Sequence, residues 1–287
     1  MRVIKSVVTT DAILTSSNIP EDEHPVWVSG TSYTALDKVI YEHKIYERIV
    51  IGAGTTPPNL DQVNWLDSGY TNRYRMFDNI TSSVSGRTGG IEFTLTPNQI
   101  VNGIALLNVN ASTVRVVMTD PVDGVVYDRT KELRSSSNVI DYFSYFFAPL
   151  VNLGDLDTAI FLDLPNKPTA TITVYVSSGA GLVEVGEVVY GVQSFVGRTN
   201  YGTAIGIKSY SRKEVDEFGK VTVIKRKNSK YADYDVDIDN VNLANVQRLF
   251  ADIDSVPCVF IGNPEMEELI VYGFYSDFKA TIFPNSE

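Results

Sequence analysis

The sequence predicts a mainly β protein built from a small aromatic-rich β module, a β-sandwich and a C-terminal α+β domain with one main helix. Three observations carry that prediction. Tyrosine and phenylalanine are abundant, at 16 and 13 residues, and Val, Ile and Thr recur, a composition that suits pleated, half-buried surfaces. The only two tryptophans, Trp27 and Trp65, bracket a stretch dense in tyrosine. Beyond them, short strand-like runs alternate with turn signals about every ten residues, as in a sandwich. At 287 residues the chain has room for two or three domains.

Residues 1–26 read as an N-terminal arm. Val3-Ile4 and Val7-Val8 fit one strand, and residues 15–25 form a polar connector with two prolines. Glu21, Asp22, Glu23 and His24 precede Pro25 in the manner of a solvated loop, so no metal is expected there. Such an arm gains a reason to be ordered by lying on a neighbouring subunit.

Residues 27–68 form the module. Val39, Tyr41, Ile45 and Tyr46 are strand residues, and Gly52-Ala-Gly54 followed by Thr-Thr-Pro-Pro is a loop. So short a stretch lacks a conventional core, and its aromatics must supply most of the packing.

Residues 69–188 are the sandwich. Asn72-Arg-Tyr-Arg-Met-Phe-Asp78 reads as an extended junction. Arg73 and Arg75 lie on one side, as candidate protein-interface residues, with Tyr74, Met76 and Asp78 on the other. Arg73 is expected to pair with Asp78 or a nearby carboxylate. Ile91-Glu-Phe-Thr-Leu alternates, residues 104–109 and 114–118 are apolar runs, and residues 170–176 alternate cleanly. Asp120-Pro-Val-Asp-Gly124 is a turn whose Asp-Gly is the strongest hairpin signal in the chain. Residues 142–147 are an aromatic knot.

Residues 189–287 change character. Small residues and glycines fill 191–210, and a charged run ends at the turn Phe218-Gly219. A strand from Val221 leads into Lys225-Arg-Lys227, a basic patch on an acidic chain and a candidate protein contact. One helix follows, capped by Asp239 or Asn240. Its apolar residues at 243, 246, 249, 250 and 253 should face a sheet made from strands near 221, 258 and 270.

Chemistry narrows the function classes. A net charge of −11 disfavours nucleic acid and anionic membranes as partners. Cys258, the single cysteine, sits in an apolar strand. No signal peptide or membrane-length run is visible, so the expectation is a chain made in a cytoplasm that, if it works outside, leaves by a route other than secretion. Asp235, Asp237 and Asp239 begin like a calcium loop, but Asn240 and Val246 stand where glycine and glutamate belong. Gly86-Arg-Thr-Gly-Gly90 and Gly197-Arg-Thr-Asn-Tyr-Gly202 lack the Lys-Ser/Thr of a phosphate loop. His24 and His43 are the only histidines, and no nucleophile elbow accompanies them. The reading is therefore no enzyme, no cofactor and no metal.

Two resemblances add to this. The order Trp27, Tyr33, Asp37-x-Val39, Tyr46, Pro57, Trp65 is similar to small chitin- and cellulose-binding modules. That likeness would make Trp27, Tyr33, Tyr46 and Trp65 carbohydrate-stacking candidates. Leu36 replaces the glycine that precedes the aspartate in that pattern, so the turn must be made another way. The arm Thr10-Asp-Ala-Ile-Leu-Thr-Ser-Ser-Asn18, the tryptophan module and the Asn72–Asp78 motif, in this order, resemble a family of tailed-bacteriophage virion proteins. The sandwich strands resemble galactose-binding-like jelly rolls. The resemblance implies a structural component of the virion tail or baseplate. Its partners would be copies of itself, in a symmetric oligomer, and other phage tail proteins. The alternative is a receptor- or glycan-binding tail protein that meets a host-surface glycan through the module's aromatics.

Overall fold

The computed structural model describes residues 1–134, 142, 146, 156–215, 217–226 and 228–280. Two compact units emerge: Val7–Tyr190, and a second made of Met1–Ser6 with Gly191–Glu287.

The larger unit holds the sandwich. One sheet has the order Gly124–Glu132, Thr113–Asp120, Thr171–Ser177, Ile91–Leu95 and Leu14–Ser17. The other runs Ala159–Phe161, Gly103–Asn110, Leu182–Gly191 and Ser85–Thr88. Alternation drives both: in Thr113–Asp120 every second residue is buried. Phe93, Leu95, Ile104, Leu106, Val116, Ile172 and Val174 meet in one core, and burying each such side chain is worth roughly 1.5–3 kcal/mol. The Asp-Gly signal holds. Asp120 accepts backbone N–H groups of Val122 and Asp123 at 3.0 and 3.1 Å, and Gly124 takes φ 74° to close the hairpin. The knot at 142–147 lies outside the described residues except for Tyr142 and Phe146.

In the same unit the module is a three-stranded meander, Lys38–Tyr41, Lys44–Arg48 and Trp65–Tyr70, beside the short pair Ser32–Tyr33 and Gly52–Ala53.

The smaller unit is α+β. Its sheet has the order Gln193–Phe195, Arg2–Lys5, Cys258–Ile261 and Ile270–Gly273. The helix spans Leu243–Asp252, and Val246, Phe250 and the following Ile253 pack with Val3, Cys258 and Phe260. Leu243 and Leu249 are half-buried. Three expectations change here. The helix begins at Asn242, without a side-chain cap, rather than at Asp239 or Asn240. The strand near 221 is absent from this sheet, and Arg2–Lys5 sits centrally in it. Residues 1–26 are therefore no free arm: 2–5 complete one unit, and Leu14–Ser17 pairs with Ile91–Leu95 in the other. Among the described residues no helix is long and apolar enough to cross a membrane.

Candidate functional site

The four aromatics singled out for sugar stacking are packed together. Trp65 and Tyr46 are buried at 3 % and 5 % exposure and form a core with Val39, against which Trp27 and Tyr33 lean. Tyr33 meets Trp65 edge-on at 5.2 Å, and Trp27 meets Tyr41 at 5.4 Å. The Arg48 guanidinium covers Trp65 at 4.9 Å and donates from Nε to Val50 O at 2.6 Å. A sugar ring needs an open aromatic face, and Tyr46 and Trp65 offer none. Tyr46 and Trp65 are therefore the module's core rather than a carbohydrate platform, while Trp27 and Tyr33 remain half-buried at its edge. Leu36 makes the turn itself, at φ 72°, held by its N–H to Arg48 O at 2.8 Å.

The Asn72–Asp78 motif is a turn and a 3₁₀ segment, Arg75–Phe77, instead of an extended strand. Its arginines point inward to this chain. Arg73 Nε donates to Ile19 O at 2.7 Å and its guanidinium lies 3.4 Å from Glu21, while Arg75 Nε donates to Tyr70 O at 3.2 Å. Neither serves as a free interface cation. They belong to a polar hub. His43 bridges Asp11 at 2.8 Å and Glu21 at 3.0 Å and stacks on Tyr74 at 4.0 Å. Tyr74 donates its hydroxyl to Asp11, and Thr71 donates to Glu21 at 2.6 Å. Burial pushes His43 down, but the hydrogen bonds it donates to Glu21 and Asp11 prevail and hold its pKa above the ordinary value. The Tyr74 hydroxyl, then His43, hold Asp11 low. His43 and Glu42 are the two central residues of the hairpin turn, at φ 64° and 47°, where Asn-Gly is the usual choice. The hub thus joins the arm, the module and the motif, three segments far apart in sequence.

The basic residues lie elsewhere, on a two-stranded extension of the smaller unit. Ala204–Ser209 pairs with Asn228–Asp233, and Arg212–Val215 continues the ladder with Val221–Ile224. Its base is tied by Arg198–Thr199 against Val236–Asp237. Twelve residues per arm reach at most about 40 Å. Lys225 and Arg226 are exposed on it, and Lys227 lies outside the described residues. Apolar side chains are exposed on it as well, among them Ile207 at 67 %, Val221 at 55 % and Val223 at 56 %. Sequence reasoning caught the strand at 221 and the basic run. It missed the pairing, which only the alternation Ala-Ile-Gly-Ile at 204–207 hints at.

Other readings resolve simply. Cys258 is buried, and burial pushes its thiol up to about 11, far from a nucleophile. Asp237 sits in a ladder, and among the described residues no group of three or more His, Cys, Asp or Glu gathers as metal ligands would. Gly86 and Arg87 lie within the strand Ser85–Thr88, and Gly197 lets the backbone pass so close to Asp237 that a Cβ would fall 2.2 Å from its carbonyl oxygen.

No protein-family model matches the chain, and no curated protein matches it. Among solved structures, the crystal structure of the F5/8 type C domain of a Bacteroides fragilis protein is similar at 9% identity, over 41% of this chain and 78% of that one, with a TM-score of 0.28.

Proposed function

We propose that the chain is a structural component of a tailed-phage virion, in the tail or its distal baseplate end, and that its work is assembly by protein–protein contact into a symmetric oligomer. The observation that carries the assembly reading is the extension at 204–233. A two-stranded hairpin is marginal in water by itself, and this one leaves Ile205, Ile207, Val221 and Val223 exposed. Chains keep such elements where another surface covers them. The phage setting is supported by the residues of the resemblance. The order of the arm, the module and the Asn72–Asp78 motif is what resembles those virion proteins, and in the fold the three segments meet through His43, Glu21, Asp11 and Tyr74. The glycan-binding alternative is left with half-buried Trp27 and Tyr33, since Tyr46 and Trp65 are buried.

Mass spectrometry of phage particles purified from the source culture, with immunogold labelling by antibody to this chain, tests the reading. The expected result is the chain in the particle, in a fixed number of copies and with label at the tail. Its absence from particles that otherwise contain a full set of tail proteins would overturn it.

A further inference from the structure

We propose that the extension at 204–233 of one copy docks on the module at 27–68 of the next, head to tail, so that the chain closes into a ring. This deepens the assembly reading above and rests on it.

Charge is the first argument. The extension carries eight Lys and Arg against four Asp and Glu, a net +4 on a chain of −11, which leaves −15 on the rest. The module carries five acids against three bases, a net −2. Opposite fields of this size set register and reject like-charged neighbours. Apolar surface is the second. Both elements expose aliphatic side chains: Ile207 and Val223 on the extension, Leu36, Ile51, Leu60 and Val63 on the module, the last four at 69–80 % exposure. Leu36 supplies the third. It sits at φ 72°, a conformation that strains a leucine and suits a glycine, yet its side chain is 73 % exposed and gains no burial within the chain. A strained residue that projects an apolar side chain into water is explained if another copy covers it. The two docking elements differ, so the contact is heterologous and repeats around an axis until it closes.

Full-length protein and two variants test this. One is Lys225→Glu with Arg226→Glu, both exposed. The other is Leu36→Gly with Ile51→Lys. Native mass spectrometry and sedimentation at low and moderate salt are the readouts, with far-UV circular dichroism as the folding control. The parent should form a closed oligomer. Each variant alone should self-associate at least tenfold more weakly. A mixture of the two should give a one-to-one pair, because it retains one intact extension and one intact module. The single variant Leu36→Gly, which relieves backbone strain, should melt no lower than the parent and still associate less. If both double variants assemble as the parent does, or their mixture pairs no better than either alone, the docking is wrong while the assembly reading stands. A parent that is monomeric at all concentrations, though present in particles, also overturns the docking alone. Absence from particles removes the assembly reading beneath it. Retention of duplex DNA by the parent, lost in Lys225→Glu with Arg226→Glu and without oligomer formation, would assign the extension to nucleic acid and overturn the proposal.

Discussion

Leu36 holds a backbone angle of 72° in the turn where a glycine would be at ease. A left-handed conformation costs a non-glycine residue roughly 1–2 kcal/mol, and glycine returns about 0.5–1 of that through its freer unfolded chain. Leu36→Gly should therefore stabilise the isolated chain by roughly 0.5–1 kcal/mol in urea unfolding. A loss of stability would mean that the side chain does work inside the monomer. Glu187 is the second telling residue. It is buried at 1 % exposure, accepts the N–H groups of Asn79 and Ile80, and leaves Oε2 without a partner. Burial, then the nearby Asp78, pushes its carboxyl up to about 9 from 4.5. The native state thus holds this proton more tightly than the unfolded chain. Stability is fullest below the unfolded value and falls as pH rises between the two values. Glu187→Gln should flatten that slope and raise stability near pH 7.5 by on the order of 2–4 kcal/mol. Melting curves from pH 5 to 9 test it, and an unchanged slope in the variant would place the pH sensitivity elsewhere. Neither effect was legible in sequence. Leu36 was recognised as a departure from a glycine pattern, but its conformation was not. Glu187 lies in an apolar strand, where only the fold shows that an acid has been enclosed.

At the scale of elements, local pattern was read well and distant pairing poorly. The tryptophan bracket gave an aromatic core, and Trp65 at 3 % exposure beneath Arg48 and Tyr33 makes it measurable. Trp65→Ala should cost about 3–5 kcal/mol, and a cost near zero in denaturant would reopen the question of an exposed ring. The helix stripe at 246, 250 and 253 packs as its period demands. Its sheet partner was misjudged, because Arg2–Lys5 pairs with Cys258–Ile261 across more than 250 residues and no local signal encodes a contact so remote. The Asn72–Asp78 motif failed for another reason. Alternating charge and bulk suggested an extended strand, whereas backbone hydrogen bonds at Thr71, Tyr74 and Arg75 wind it into a turn that aims both arginines at this chain's own carbonyls.

At the scale of the molecule, a residue-level strain, an exposed hairpin and a division of charge point the same way. The extension is positive, the module negative, and each leaves aliphatic surface in water. The basic run was visible in sequence as a contact candidate, yet what faces it was not, since charge complementarity becomes an argument only once the hairpin and the module are folded and seen to be exposed. The most direct measurement is native mass spectrometry of the full-length chain as concentration and salt are varied. A single closed stoichiometry that dissociates as salt rises, with no ladder of open intermediates, is what head-to-tail docking through opposite charges produces. A monomer throughout, or an oligomer of even number indifferent to salt and to reversal of Lys225 and Arg226, would contradict it.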